Sequence, residues 1–434
     1  MTPNALPDGR QGGDAPASPW RFIPSLYLAE GLPYILINTV SVILYKRLGV
    51  DNGSIAFWTS WLYLPWVIKM FWGPAVDMFS TKRNWILWTQ AALAVLLGAA
   101  ALSLRTPGFF LMSLFFFTIG AFLSATHDIA ADGFYMLALD EKGQAFFAGI
   151  RSTFYRLSMI FGSGFLVYAA GVLETRTGDV PLSWTLVMAV PCALFVLFTL
   201  YHRWALPRPA GDGAAARADA PSASFWEIIS SYFRQEKIAP TLAFILLYRL
   251  GEAMLVKLAS PFLLDSRATG GLGLSTSQVG LVYGTVGVSG LAVGGILGGW
   301  LISRYGLRRC IWPMVLALNV PDLFYVWMAW IQPGVWLTCV LVVVEQFGYG
   351  VGFSAFTVYL LLRAGESPYR TSHFAISTGI MALGMMLPGF FSGYLQQAVG
   401  YRTFFILVCL ATVPGFLVIP FIPKESRAPG PAHA

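Results

Sequence analysis

The chain has 434 residues and a net charge of +7; 56% of its residues are hydrophobic, only 11% are charged, and the mean hydropathy is +0.65. Soluble domains carry about 25% charged residues, so this composition excludes a water-soluble globular chain. Continuous runs of about 20 apolar residues, enough to cross a ~30 Å hydrocarbon core, recur throughout and exclude a β-barrel, whose strands alternate.

Residues 1–20 are polar, rich in Gly, Pro and Ala, and predict a disordered tail. Hydropathy then predicts helices over 21–45, 54–78, 85–104, 109–138, 145–172 and 182–204, a first bundle spanning 21–205. Residues 207–225, "PRPAGDGAAARADAPSASF", mark a flexible linker spanning 206–237. Helices over 238–264, 275–302, 308–331, 333–362, 371–398 and 401–422 form a second bundle over 238–422, and 423–434 is a second tail. The expected fold class is an all-α membrane protein with twelve transmembrane helices in two six-helix bundles. Of the 28 Lys and Arg, 17 fall in tails and loops on the side of the termini and 6 on the other. That excess predicts both termini in the cytoplasm of a multi-pass inner-membrane protein. The positive charge is thus a topology signal, and no nucleic-acid partner is expected. Cys192, Cys310, Cys339 and Cys409 form no CxxC pair and read as small apolar fillers.

The halves carry a repeat. Residues 73–83 read "GPAVDMFSTKR" and residues 299–309 read "GWLISRYGLRR", at a constant offset of 226. Asp77 aligns with Ser303, and the pair Lys82–Arg83 with Arg308–Arg309. Cations after a helix C-terminus complement its dipole and mark a cytoplasmic turn. These loops resemble the signature loops of the major facilitator superfamily, although Asp77 lacks the Arg and Gly that usually follow the acid. The resemblance implies two related six-helix halves, a central cavity and alternating access, with Asp77, Lys82, Arg83, Arg308 and Arg309 as ion-pair or gating residues. "LYLAEGLPY" (26–34), "LPWVIKMFWGPAVD" (64–77), "ATHDIAADGFY" (125–135), "FYRLSMIFGSG" (154–164) and "TSHFAISTGIMALGMMLPG" (371–389) are similar to AmpG-type muropeptide permeases. His127 stands where that family is expected to carry Gln.

Charges inside spans are costly and mark function by default. In helix 4, Asp128 and Asp132 lie about 40° apart on one face, with Tyr135 on the same stripe, whereas His127 points about 100° away from Asp128. No metal site is therefore expected. Counting from the turn near Lys142 sets Asp132 level with Arg151 and Asp128 level with Arg156, an ion-pair ladder across helices 4 and 5. It reads either as a static brace or as a switch released by protonation or substrate. Glu30, Arg249 and Glu252 are expected in the central cavity from helices 1 and 7, although Arg249 and Glu252, three apart, also suit an intrahelical pair. Glu345 is a further cavity candidate beside Gln346, as are His127, Asp128, Tyr135 and Arg156. Lys69 is expected to snorkel, His373 to cap loop groups near the start of helix 11, and Asp322 has no assigned role.

No GxxxxGK[ST] phosphate loop, soluble catalytic domain or selectivity filter is present. The reading is a secondary active transporter, not an enzyme, with no cofactor, expected as a monomer in the lipid bilayer. By resemblance it imports a cell-wall-derived sugar or muropeptide with protons, and Asp128 or Glu30 is the expected proton carrier. One alternative keeps the fold and changes the cargo to a siderophore or other small molecule. Another is a non-transporting sensor or scaffold, which would have no need of the embedded charges.

Overall fold

The computed structural model describes residues 18–209, 212 and 225–423; the expected tails and most of the expected linker lie outside the described residues. Among the described residues there is no β-strand. Nine helices among the described residues are long and apolar enough to span a membrane. One of them, Arg370–Phe421, holds two crossings joined where Gly400 takes φ 74°, a left-handed turn that suits glycine. Two further crossings, over 52–79 and 238–264, are broken into shorter helices. The twelve crossings are α1 (Pro19–Arg47), α2 (52–79), α3 (Lys82–Ser103), α4 (Phe109–Ala138), α5 (Lys142–Thr177), α6 (Val180–Ala205), α7 (238–264), α8 (Thr276–Tyr305), α9 (Leu307–Ile331), α10 (Val335–Gly365), α11 (370–399) and α12 (401–421).

Local chemistry sets the helix starts. Asp51, Thr81, Asp140 and Asp179 each accept a hydrogen bond from the backbone amide three residues on, at the starts of α2, α3, α5 and α6. Ser275 and Gln278 form a capping box at the start of α8. The described part of the linker is docked. A short helix, Phe225–Phe233, precedes α7, and Asp212 accepts from the amides of Lys82 and Arg83 at 2.6 and 3.1 Å, capping α3 from outside.

The halves meet along two seams, α2 against α11 and α5 against α8. α5 and α8 each widen into a π turn, over Ile160–Leu166 and Gly280–Gly287, where they touch. A Cβ on Gly284 would lie 1.9 Å from the Ser163 carbonyl oxygen, so only glycine permits this approach.

The face opposite the termini is sealed. Lys46 of α1 pairs with Asp265, after α7, at 2.6 Å. Asn52 of α2 bridges the halves to Asp265, Gln396 and Tyr401, donating at 3.2, 2.8 and 2.9 Å, and Tyr401 donates to Asp265 at 2.6 Å. Arg47 pairs with Glu174 at 3.0 Å, and Glu174 accepts from Thr276 of the other half at 2.6 Å.

Candidate substrate and ion pathway

The charges of the first half gather at α1, α2, α4 and α5. Asp132 pairs with Arg151 at 2.9 Å, and the Tyr27 hydroxyl lies 3.0 Å from both. This is the contact that residue counting from the α4–α5 turn anticipates. Asp128 instead pairs with Lys69 of α2 at 2.6 Å. The expected Asp128–Arg156 rung is absent, because Arg156 extends across the seam to lie 3.5 Å from the Leu291 carbonyl of α8. Lys69 therefore does not snorkel; it neutralises a carboxylate. Glu30 is buried within electrostatic reach of Asp128, Asp132 and Arg151, and its Oε2 has no hydrogen-bond partner among the described residues. The Asp128 and Asp132 side chains keep 22% and 43% of their exposure.

His127 leaves this group altogether. It is fully buried, with Nε2 3.0 Å from the Gln90 amide nitrogen. The Gln90 amide oxygen lies 3.0 Å from His202 Nδ1, and His202 Nε2 lies 2.9 Å from Ser25 Oγ. This chain ties α4, α3, α6 and α1 together inside the bundle, so the structure does not place His127 in the cavity. Tyr135 is likewise buried: its hydroxyl donates to the Gln144 carbonyl, and its ring lies 5.0 Å from the Arg151 guanidinium.

In the second half, Arg249 and Glu252 form no ion pair. The helical backbone is interrupted at Tyr248–Arg249, where Arg249 has φ −114° and ψ 19°, and the Arg249 side chain engages Tyr349 rather than Glu252. Arg249 donates to the Tyr349 hydroxyl and lies 4.8 Å from the Phe353 ring. It is within electrostatic reach of Tyr34 and Tyr63, and so faces the other half. Glu252 lies within electrostatic reach of Arg249 as well as of Asp322 and Glu345. All three acids are fully buried. Glu345 accepts from the Gln346 amide at 3.1 Å and from Tyr325 at 3.4 Å, whereas both carboxylate oxygens of Glu252 and of Asp322 lack a hydrogen-bond partner among the described residues.

Of the expected gating residues, Arg83 donates to the backbone carbonyls of Leu206, at 3.2 Å, and Arg203. Lys82 is buried and its aliphatic stem crosses Gly133 of α4. Arg308 and Arg309 open α9 at the turn set by Gly306, which has φ 77°. Asp77 lies in the short helix Gly73–Phe79, but its side chain is outside the described residues. Ser303 donates to the Trp300 carbonyl of its own helix at 2.7 Å. His373 bonds Ser231 and Gln235 at 2.9 and 2.7 Å, fastening the segment before α7 onto α11.

Sequence reasoning missed the Lys46–Asp265 seal and the Lys69–Asp128 pair, and gave Lys257 no role. Lys257 is the position a charge count alone flags, since it lies inside an apolar span.

Comparison with known proteins follows the same lines. A family model described as Major Facilitator Superfamily matches residues 25–369 and 242–434. A "Putative transporter AmpG 4" of Rickettsia conorii is 22% identical over 411 residues, covering 92% of this chain and 94% of that relative. The anhydromuropeptide permease of Escherichia coli is 26% identical over 403 residues, covering 91% of this chain and 77% of the permease. Among solved structures, a bacterial homologue of the human lysosomal transporter Spinster, inward-facing and occupied, superposes with a TM-score of 0.72 at 16% identity, covering 96% of this chain and 100% of that one. A D-xylose-proton symporter superposes with a TM-score of 0.70 at 14% identity, covering 93% of this chain and 98% of that one.

Proposed function

The chain belongs to the major facilitator superfamily and is a multi-pass membrane transporter, not an enzyme; from that premise we propose that it imports a cell-wall-derived sugar or muropeptide together with protons. The cargo is suggested by the relatives named as AmpG transporters and anhydromuropeptide permease. The proposed setting is the inner membrane with both termini in the cytoplasm, and the two bundles, 21–205 and 238–422, are the proposed moving bodies.

The observation that carries the coupling is the pair Asp128–Lys69. Asp128 is partly exposed, inside a span, and pairs with one cation, Lys69, beside Glu30. A proton arriving on Asp128 releases Lys69 and changes the charge facing the cargo, a differential contact that can bias one state over the other. Glu30 beside it is the second proposed carrier. The seal at Lys46 and Asp265 closes the opposite face, so the arrangement suits the release stage of import.

The test is uptake of a labelled anhydromuropeptide into membrane vesicles carrying the protein. Accumulation against a gradient is expected with an imposed proton gradient and is lost when a protonophore collapses it. Accumulation indifferent to the protonophore removes proton coupling, and no uptake above empty vesicles removes the cargo.

A further inference from the structure

We propose that Arg249 and Lys257, both on α7, form a subsite for a carboxylate group of the transported solute. The proposal rests on the transporter reading above and narrows the cargo to an anionic one.

The two cations are compensated differently from those of the first half. Lys69 and Arg151 each have a carboxylate within 3 Å. Among the described residues, neither Arg249 nor Lys257 has a carboxylate at ion-pairing distance. Lys257 is only 2% exposed, and its Nζ donates to the Thr59 hydroxyl of α2 at 3.1 Å and sits 4.8 Å from the centre of the Tyr63 ring. Arg249 is covered by Tyr349 and Phe353, and its Nε has no hydrogen-bond partner among the described residues. Of the nearby acids, Glu252 lies within electrostatic reach of Arg249 but does not pair with it.

Rings and a hydroxyl are weak counterparts for buried cations. Ring contacts offset only part of the desolvation cost of a buried ion. A carboxylate, through charge-assisted hydrogen bonds, is the partner that closes this gap. The rings that cover the cations are also in position to hold the rest of a solute. Tyr63 packs edge-on to Tyr34 at 6.5 Å, and both lie within electrostatic reach of Arg249. The cations, Tyr349 and Phe353 come from one half, and Tyr34 and Tyr63 from the other. A ligand seated between them would touch both halves, as a solute that couples their motion must.

The experiment measures binding to the purified full chain in nanodiscs, using two matched probe pairs. One pair is a disaccharide-peptide anhydromuropeptide and the same compound with its carboxyl groups amidated. The other is glucuronate and glucuronamide. Wild type is expected to bind the acid of at least one pair roughly tenfold or more tightly than its amide. Lys257→Gln and Arg249→Gln are expected to weaken the acid and leave the amide unchanged, while Lys257→Arg keeps the preference. Amide binding and the melting temperature report that each variant is folded; if Arg249→Gln fails to fold, Lys257→Gln decides. Equal binding of acid and amide by wild type, a full preference retained in Lys257→Gln, or no binding of any probe overturns the subsite. A Lys257-dependent preference for glucuronate without muropeptide binding supports the subsite and removes the muropeptide cargo.

Discussion

The exchange of partners around Asp128 shows what a single side chain decides. Asp132 and Arg151 flank one tight turn, so depth can be counted along the chain from that turn, and the contact is legible in the amino-acid sequence alone. Asp128 and Lys69 are 59 residues apart on helices joined through α3, and no count along the chain sets their relative depth. Their side chains keep 22% and 23% of their exposure, so removing one partner leaves a largely buried charge. Asp128→Asn and Lys69→Gln are each expected to cost about 1–3 kcal/mol and to abolish accumulation, whereas the double variant recovers most of the stability but not transport. Thermal unfolding and vesicle uptake on the three variants check this; transport by the double variant would make the pair a brace only. Asp322 gives the opposite expectation. Its carboxylate has neither a donor nor a cation among the described residues, so Asp322→Asn forfeits no contact. Its melting temperature is expected to stay within about 2 °C of wild type.

Continuous helices were the easy part of the fold to read, because hydropathy reports length and polarity. α4 is expected at 109–138 and found at Phe109–Ala138. Breaks were not readable, since an interrupted backbone can carry the same apolar residues as a straight one. The interruption near Tyr63 in α2 falls just before Pro65, which has no backbone N–H to donate, whereas the break at Tyr248–Arg249 in α7 and the π turns in α5 and α8 carry no such residue at the break. The break in α7 matters most, for Arg249 stands at it and engages Tyr349 rather than Glu252. The π turns of α5 and α8 meet at Gly284, and a side chain there tests the seam. Gly284→Val places atoms against the Ser163 carbonyl and is expected to disfavour the conformation closed on the face opposite the termini. Spin labels on Arg176→Cys and Ser275→Cys, with the native cysteines replaced, should then report a longer distance than in the parent. An unchanged distance would show that the seam does not govern closure.

For the whole molecule, composition, charge asymmetry and the two-copy loop were enough to indicate two six-helix bundles, and the family match and structural likenesses agree. The conformation was not legible, because the residues that seal one face come from four separate loops and helix ends. Lys46, Asn52, Asp265, Gln396 and Tyr401 meet only when the halves close. Asp265 accepts from three of the others, so Asp265→Ala is expected to weaken the seal and shift the population towards opening on that face. Faster maleimide labelling of a cysteine placed at Gln396 would register the shift, and a labelling rate equal to the parent would exclude Asp265 as its anchor. The central claim is that cargo and protons move together. Proteoliposomes containing the purified chain and a trapped pH-sensitive dye test it most directly. With no imposed gradient, adding anhydromuropeptide outside should acidify the lumen in wild type and leave it unchanged in Asp128→Asn. Uptake of the muropeptide by wild type with no change in lumenal pH would contradict it.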